Sequence, residues 1–160
     1  MGDIYSEMND LVPQYMEKLC TKYKMKCQRI SDLETAMYNE KCCLVIGVDR
    51  FDAGVEVVVR EDGMTKEYSC RNYFAKKYDA TDRVNLITDP NDMTKDIKNC
   101  LIIMANGLDS KWGAVLEGDM SWFEDYKQSK WYFESKCFVE ERNELLNAVL
   151  DSMEETSPTK

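Results

Sequence analysis

Any chemistry in this chain must come from a run of rings and carboxylates, a helical pair of glutamates, or seven cysteines, because it has no histidine. The run is Gly118-Asp119-Met120-Ser121-Trp122-Phe123-Glu124-Asp125-Tyr126. On a helix beginning after Ser121, Trp122 and Tyr126 share one face, Phe123 and Lys127 the next, and Asp125 lies on the far side. Aromatic anchors surrounded by acids suit a docking surface: the rings supply contact area and the carboxylates meet a partner's Lys and Arg. The residues expected to carry it are Asp119, Trp122, Glu124, Asp125 and Tyr126, with Glu117 and Glu140 beside them. The competing reading packs these rings onto a sheet and leaves the acids in water.

The absence of histidine removes the commonest general base and the commonest metal ligand. No Ser-His or Cys-His pair is possible. The seven glycines are scattered singly, so no glycine-rich phosphate loop exists. Glu140 and Glu144 stand one turn apart, but on the polar flank of an apolar helix, which reads as a solvated face. The cysteines (Cys20, Cys27, Cys42, Cys43, Cys70, Cys100 and Cys137) form no C-x-x-C pair and no usual zinc spacing. Cys42 and Cys43 are adjacent and cannot face the same side of a strand. All seven are read as structural thiols of a reducing, cytoplasmic compartment. No catalytic residue, metal or cofactor is expected, and an enzyme is not the favoured reading.

Charge narrows the partners. The chain carries a net −9, and residues 89–160 hold 15 Asp/Glu against 8 Lys/Arg. Such a surface attracts cationic partners and repels nucleic-acid backbones, so a basic protein partner is expected and nucleic acid is not. No apolar run approaches the roughly 20 residues of a membrane span. The start, Met1-Gly2-Asp3-Ile4-Tyr5-Ser6, fits the loose myristoylation pattern, but Ile4 and Tyr5 read more simply as the opening of an amphipathic helix.

The elements that would position these residues follow from periodicity. Ile4, Met8, Leu11, Val12, Tyr15, Met16, Leu19 and Tyr23 recur at helical spacing, with either a kink at Pro13 or a second helix capped by Asp10. Residues 25–30 and 35–38 suggest edge strands. Residues 42–48 form a nearly continuous β-branched run, as expected of a central strand. Asp52-Ala53-Gly54 reads as a loop with glycine at positive φ, and Asp62-Gly63 is a strong hairpin signal. Val55, Val57 and Val59 alternate with Glu56, Val58 and Arg60; Lys66, Tyr68 and Cys70 alternate with Glu67 and Ser69.

From Tyr73 onward the chain reads as helical. Gly107 is expected to end one helix, and Ser121 with Glu124 to form a capping box for another. The last helix carries Phe138, Val139, Arg142, Leu145, Leu146, Val149, Leu150 and Met153. The fold class is therefore α+β: an antiparallel meander of three to five strands covered by an N-terminal helix and C-terminal helices. Residues 1–153 are expected to form a single domain and 154–160 a disordered tail.

The stretch Leu44-Val45-Ile46-Gly47-Val48-Asp49-Arg50-Phe51-Asp52-Ala53-Gly54-Val55-Glu56-Val57, followed by Lys66-Glu67-Tyr68-Ser69, resembles the central hairpins of small bacterial proteins of the toxin-immunity type. These belong to polymorphic-toxin and contact-dependent-inhibition systems. Residues 108–126, with Trp112-Gly113, Leu116 and Gly118-Asp119, resemble a segment that follows in such proteins. The resemblance implies a bacterial, cytosolic, α+β protein that neutralises a toxin by binding it, and the acidic charge of this chain makes a cationic toxin domain the expected partner. The alternative expectation is a self-associating structural or adaptor subunit of a phage or mobile element; the sequence leaves the oligomeric state open.

Overall fold

In the computed structural model, which describes residues 4–156, three short helices open the chain: α1 (Ile4–Asn9), α2 (Leu11–Tyr15) and α3 (Glu17–Tyr23). Gly2, the myristoylation candidate, lies outside the described residues. The helical periodicity is real, and Met8, Val12, Met16 and Leu19 are all buried. The chain breaks at both Asp10 and Met16 instead of kinking once. Asp10 sits at the N-cap of α2 but makes no capping bond; its carboxylate pairs with Arg29 at 2.5 Å.

A six-stranded antiparallel sheet follows, in simple sequence order: β1 (Lys26–Arg29), β2 (Glu34–Tyr38), β3 (Cys43–Val48), β4 (Ala53–Glu61), β5 (Met64–Ser69) and β6 (Glu134–Ser135). β3 lies inside the sheet with both faces covered, which accounts for its unbroken apolar run. Cys42 and Cys43 do point to opposite sides, each into a different core. The β4–β5 turn holds Asp62 at φ 52° and Gly63 at φ 77°, the left-handed pair that a two-residue hairpin needs. Gly54 departs from expectation. It lies within β4 opposite Gly47, and the turn is made by residues 49–52 through Asp49 N–H to Asp52 C=O.

On one face, α1–α3, α4 (Arg71–Ala75), α5 (Lys95–Leu116) and α6 (Phe123–Gln128) bury the main core. Helix α5 runs past Gly107, which is an interior position and not its end. A Cβ there would meet the ring of Tyr78 at 2.2 Å, so glycine lets that ring lie against the helix. The expected capping box at Ser121 does not form. The Ser121 hydroxyl donates to Asp119 at 2.8 Å, and α6 starts without a side-chain cap.

On the other face a single helix, α7 (Glu140–Thr156), lays Leu146, Val149 and Leu150 on Ala36, Cys43, Val45 and Val58. Helix α7 extends through Thr156, and residues 157–160 of the expected tail lie outside the described residues. The fold class is α+β, as the pattern indicates, with one strand more than expected. Among the described residues no helix is long and apolar enough to cross a membrane.

Candidate functional site

The segment picked out by its rings turns inward. Trp122 and Tyr126 are 7% and 0% exposed, and Phe123 is also buried, so these rings are core and not surface anchors. The physical reason is the company available on the sheet's helical face. Trp122 meets Tyr73, Phe74, Phe123 and Tyr126 with ring centres 5.4–5.9 Å apart. Its indole N–H donates to the Asp119 carbonyl at 2.9 Å. Rings of this size gain about 2–3 kcal/mol each from leaving water, more than an exposed position offers.

Tyr126 has a further task. Its hydroxyl donates to the Ser69 carbonyl at 2.7 Å and accepts from the Phe133 N–H at 3.1 Å. It thus bridges β5 to the residue before β6, beside the direct bond from Ser69 N–H to Phe133 C=O at 2.9 Å. A buried tyrosine thereby anchors the edge strand that sequence periodicity does not reveal. Burial raises its hydroxyl pKa, so the group stays protonated and able to donate.

The acids around these rings do reach water, but three of them are already engaged and Glu140 lies on the opposite side of the sheet. Glu117 is exposed at the end of α5, beside a shallow cavity with Lys22, Lys24 and Lys41. Asp119 is tied to Ser121. Glu124 pairs with Lys127 at 3.0 Å within α6. Asp125 accepts the Tyr73 hydroxyl at 2.6 Å and pairs with Lys76 at 3.3 Å, and these contacts hold its pKa below the usual carboxylate range. Glu140 is exposed at the start of α7, across the sheet from α6. The rings expected to join these acids in one surface over residues 117–140 are therefore buried, and Asp119, Glu124 and Asp125 already have partners.

The α7 face holds a different constellation. Antiparallel register places Glu34 opposite Gly47, Gly47 opposite Gly54, Glu56 opposite Ser69, and Glu67 opposite Ser135. Side chains alternate across a sheet, so Glu34, Glu56 and Glu67 all project toward α7. One oxygen from each lies within 4.8 Å of the others. Arg142, only 3% exposed, enters from the first turns of α7. Its Nε donates to Glu34 Oε1 at 3.1 Å and its Nη2 to Glu34 Oε2 at 2.8 Å. Nη1 donates to Glu67 Oε2 at 2.6 Å, and Nη2 also reaches Glu67 Oε1.

Burial lowers the Arg142 pKa, but the two carboxylates outweigh it, and the net shift is upward. Three carboxylates thus face one guanidinium. Glu56 makes no ion pair among the described residues; burial raises its carboxyl pKa, and a hydrogen bond from Ser135 and the Arg142 charge offset this only in part. Three oxygen ligands are of a kind that suits a hard divalent cation, yet Arg142 already serves two of them. The arrangement works as a largely buried ion-pair network with one surplus acid.

Beside this network runs an open groove of about 990 Å³ between α7 and the β5–β6 edge, lined by residues including Glu67, Ser135, Lys136, Phe138 and Asn143. Phe138 is 90% exposed, Phe133 62% and Val139 58%. The exposed Phe138 ring and the Arg142-paired Glu67 therefore line one groove near the start of α7, where Glu140 also lies. Sequence reasoning missed Glu34, Glu56 and Glu67. The signal for them was Arg142, a cation inside the apolar stripe of the last helix, which demands buried carboxylate partners. Comparison of the chain with protein-family models, with curated proteins and with solved structures finds no match.

Proposed function

We propose that this chain is a non-enzymatic, cytoplasmic protein-binding protein of the immunity type, which neutralises a basic partner by presenting acid and rings at the N-terminal end of α7. One observation carries this reading: three clustered glutamates have one arginine, which pairs with two of them, beside a groove lined by the exposed Phe138. A partner's Lys or Arg placed near Glu56 adds countercharge to a carboxylate whose nearby arginine pairs with Glu34 and Glu67, and the exposed Phe138 supplies apolar contact. Free thiols, seven in number, agree with a reducing compartment.

Photo-crosslinking in cells of the source organism tests the reading. A benzophenone amino acid at position 138 is expected to trap one basic protein, and the same group at position 124 is not. Trapping from position 124 alone, or of an acidic protein, contradicts it. Trapping of a second copy of this chain from position 138 replaces it with the self-associating adaptor.

A further inference from the structure

We propose that Cys20 and Cys27 form a redox-active dithiol that closes to a disulfide when a peroxide oxidises it. Cys20 lies on α3 and Cys27 on β1. Between them Lys24 turns in the left-handed conformation, and the Met25 N–H donates back to the Cys20 carbonyl at 2.9 Å. This fold-back sets the two sulfurs 3.8 Å apart, in hydrogen-bond contact, with both residues half-buried. A disulfide needs about 2.05 Å, a closure of under 2 Å that side-chain rotation and the short turn can supply.

Four of the other thiols are placed differently. Cys42, Cys43 and Cys70 are buried, and Cys42 and Cys43 face opposite cores. Cys100 is held by Asp52 at 3.3 Å. Burial pushes Cys42 and Cys70 up to about 12, whereas the Cys20 S–H beside Cys27 draws the Cys27 thiol down. Either S–H can donate across this contact, and we take Cys27 as the attacking thiolate and Cys20 as the resolving thiol.

The chemistry balances. The Cys27 thiolate attacks one oxygen of hydrogen peroxide, the O–O bond breaks, and hydroxide leaves, giving Cys27 sulfenic acid. Cys20 sulfur then displaces the sulfenic oxygen. Its proton and the departing hydroxyl form water, and the S–S bond closes. Two thiols lose two electrons, and one peroxide becomes two waters. The product ties α3 to the edge strand β1.

The test treats the reduced, full-length protein with one equivalent of hydrogen peroxide, then alkylates it with N-ethylmaleimide. The proposal expects two hydrogens lost and five thiols alkylated out of seven. Cleavage after Lys18, Lys22, Lys26 and Arg29 should release residues 19–22 and 27–29 as one linked peptide that dithiothreitol separates. Cys20→Ser should leave Cys27 as a sulfenic acid that dimedone traps. Alkylation of both Cys20 and Cys27 while other cysteines oxidise would overturn the proposal. Separate oxidation of the two with no linked peptide in the unsubstituted protein would do the same, whatever the folding of the variant.

Discussion

On one face of the sheet, helices α1–α6 bury a continuous layer of rings and aliphatic side chains; on the other, α7 brings Arg142 down onto a floor that includes three glutamates and two glycines. The first face satisfies its indole and Tyr126 polar groups locally, and leaves the buried Tyr78 hydroxyl without a partner among the described residues. Trp112 donates its indole N–H to the Phe74 carbonyl at 2.9 Å, and Tyr126 bridges two backbones. The second leaves a carboxylate over. A covered face contributes stability and little recognition, because nothing on it can meet a partner. A thin cover over buried charge gives up some stability and keeps groups that a partner can complete.

The comparison can be broken most sharply at its covered side. Phe74→Ala removes a fully buried ring packed against Tyr73, Trp112 and Trp122, and should cost about 3–5 kcal/mol in urea unfolding. A loss below about 1 kcal/mol would mean that the aromatic layer does not support the sheet. Next comes Arg142→Ala, which strands Glu34 and Glu67 and should cost about 3 kcal/mol. Arg142→Met combined with Glu34→Gln, Glu56→Gln and Glu67→Gln should return to within about 1 kcal/mol of the parent, because no unpaired charge then remains in the cluster.

Glu56 gives a smaller effect of opposite sign. Its carboxyl holds its proton more tightly in the folded than in the unfolded chain. Its penalty is therefore absent below the unfolded-state pKa and complete above the folded one, so stability falls as pH rises through that window. Glu56→Gln should stabilise the protein by about 0.5 kcal/mol at pH 7, with the gain vanishing on acidification below the ordinary glutamate range. Thermal melts of both proteins across pH 4–7 measure this. Smallest of all, Asp119→Asn and Glu124→Gln should change stability by no more than about 0.5 kcal/mol, as expected of exposed, locally paired acids.

What the sequence made legible depended on whether a local pattern had one physical solution. The β-branched run of β3, the alternation in β4 and the Asp62-Gly63 turn each had one, and each stands in the structure. Gly107 had two, because a helical glycine can end a helix or admit a neighbouring ring; Tyr78 decides, from outside the window that periodicity sees. The two-residue β6 has no pattern of its own and is held by Tyr126 from another element. The expected site failed in the same way. Spacing placed Trp122 and Tyr126 on a shared face, but which face found the core depended on Tyr68, Tyr73 and Phe74. Glu34, Glu56 and Glu67 come from three strands, and only register brings them together. Arg142 alone announced them.

The most direct measurement is the association rate of the purified protein with the partner trapped at position 138, taken at low and high salt. The account predicts that Glu56→Lys slows association strongly at low salt and less at high salt, while Glu124→Lys leaves the rate nearly unchanged. Slowing by Glu124→Lys together with an unaltered rate for Glu56→Lys would contradict it, and would return recognition to the α6 side of the molecule.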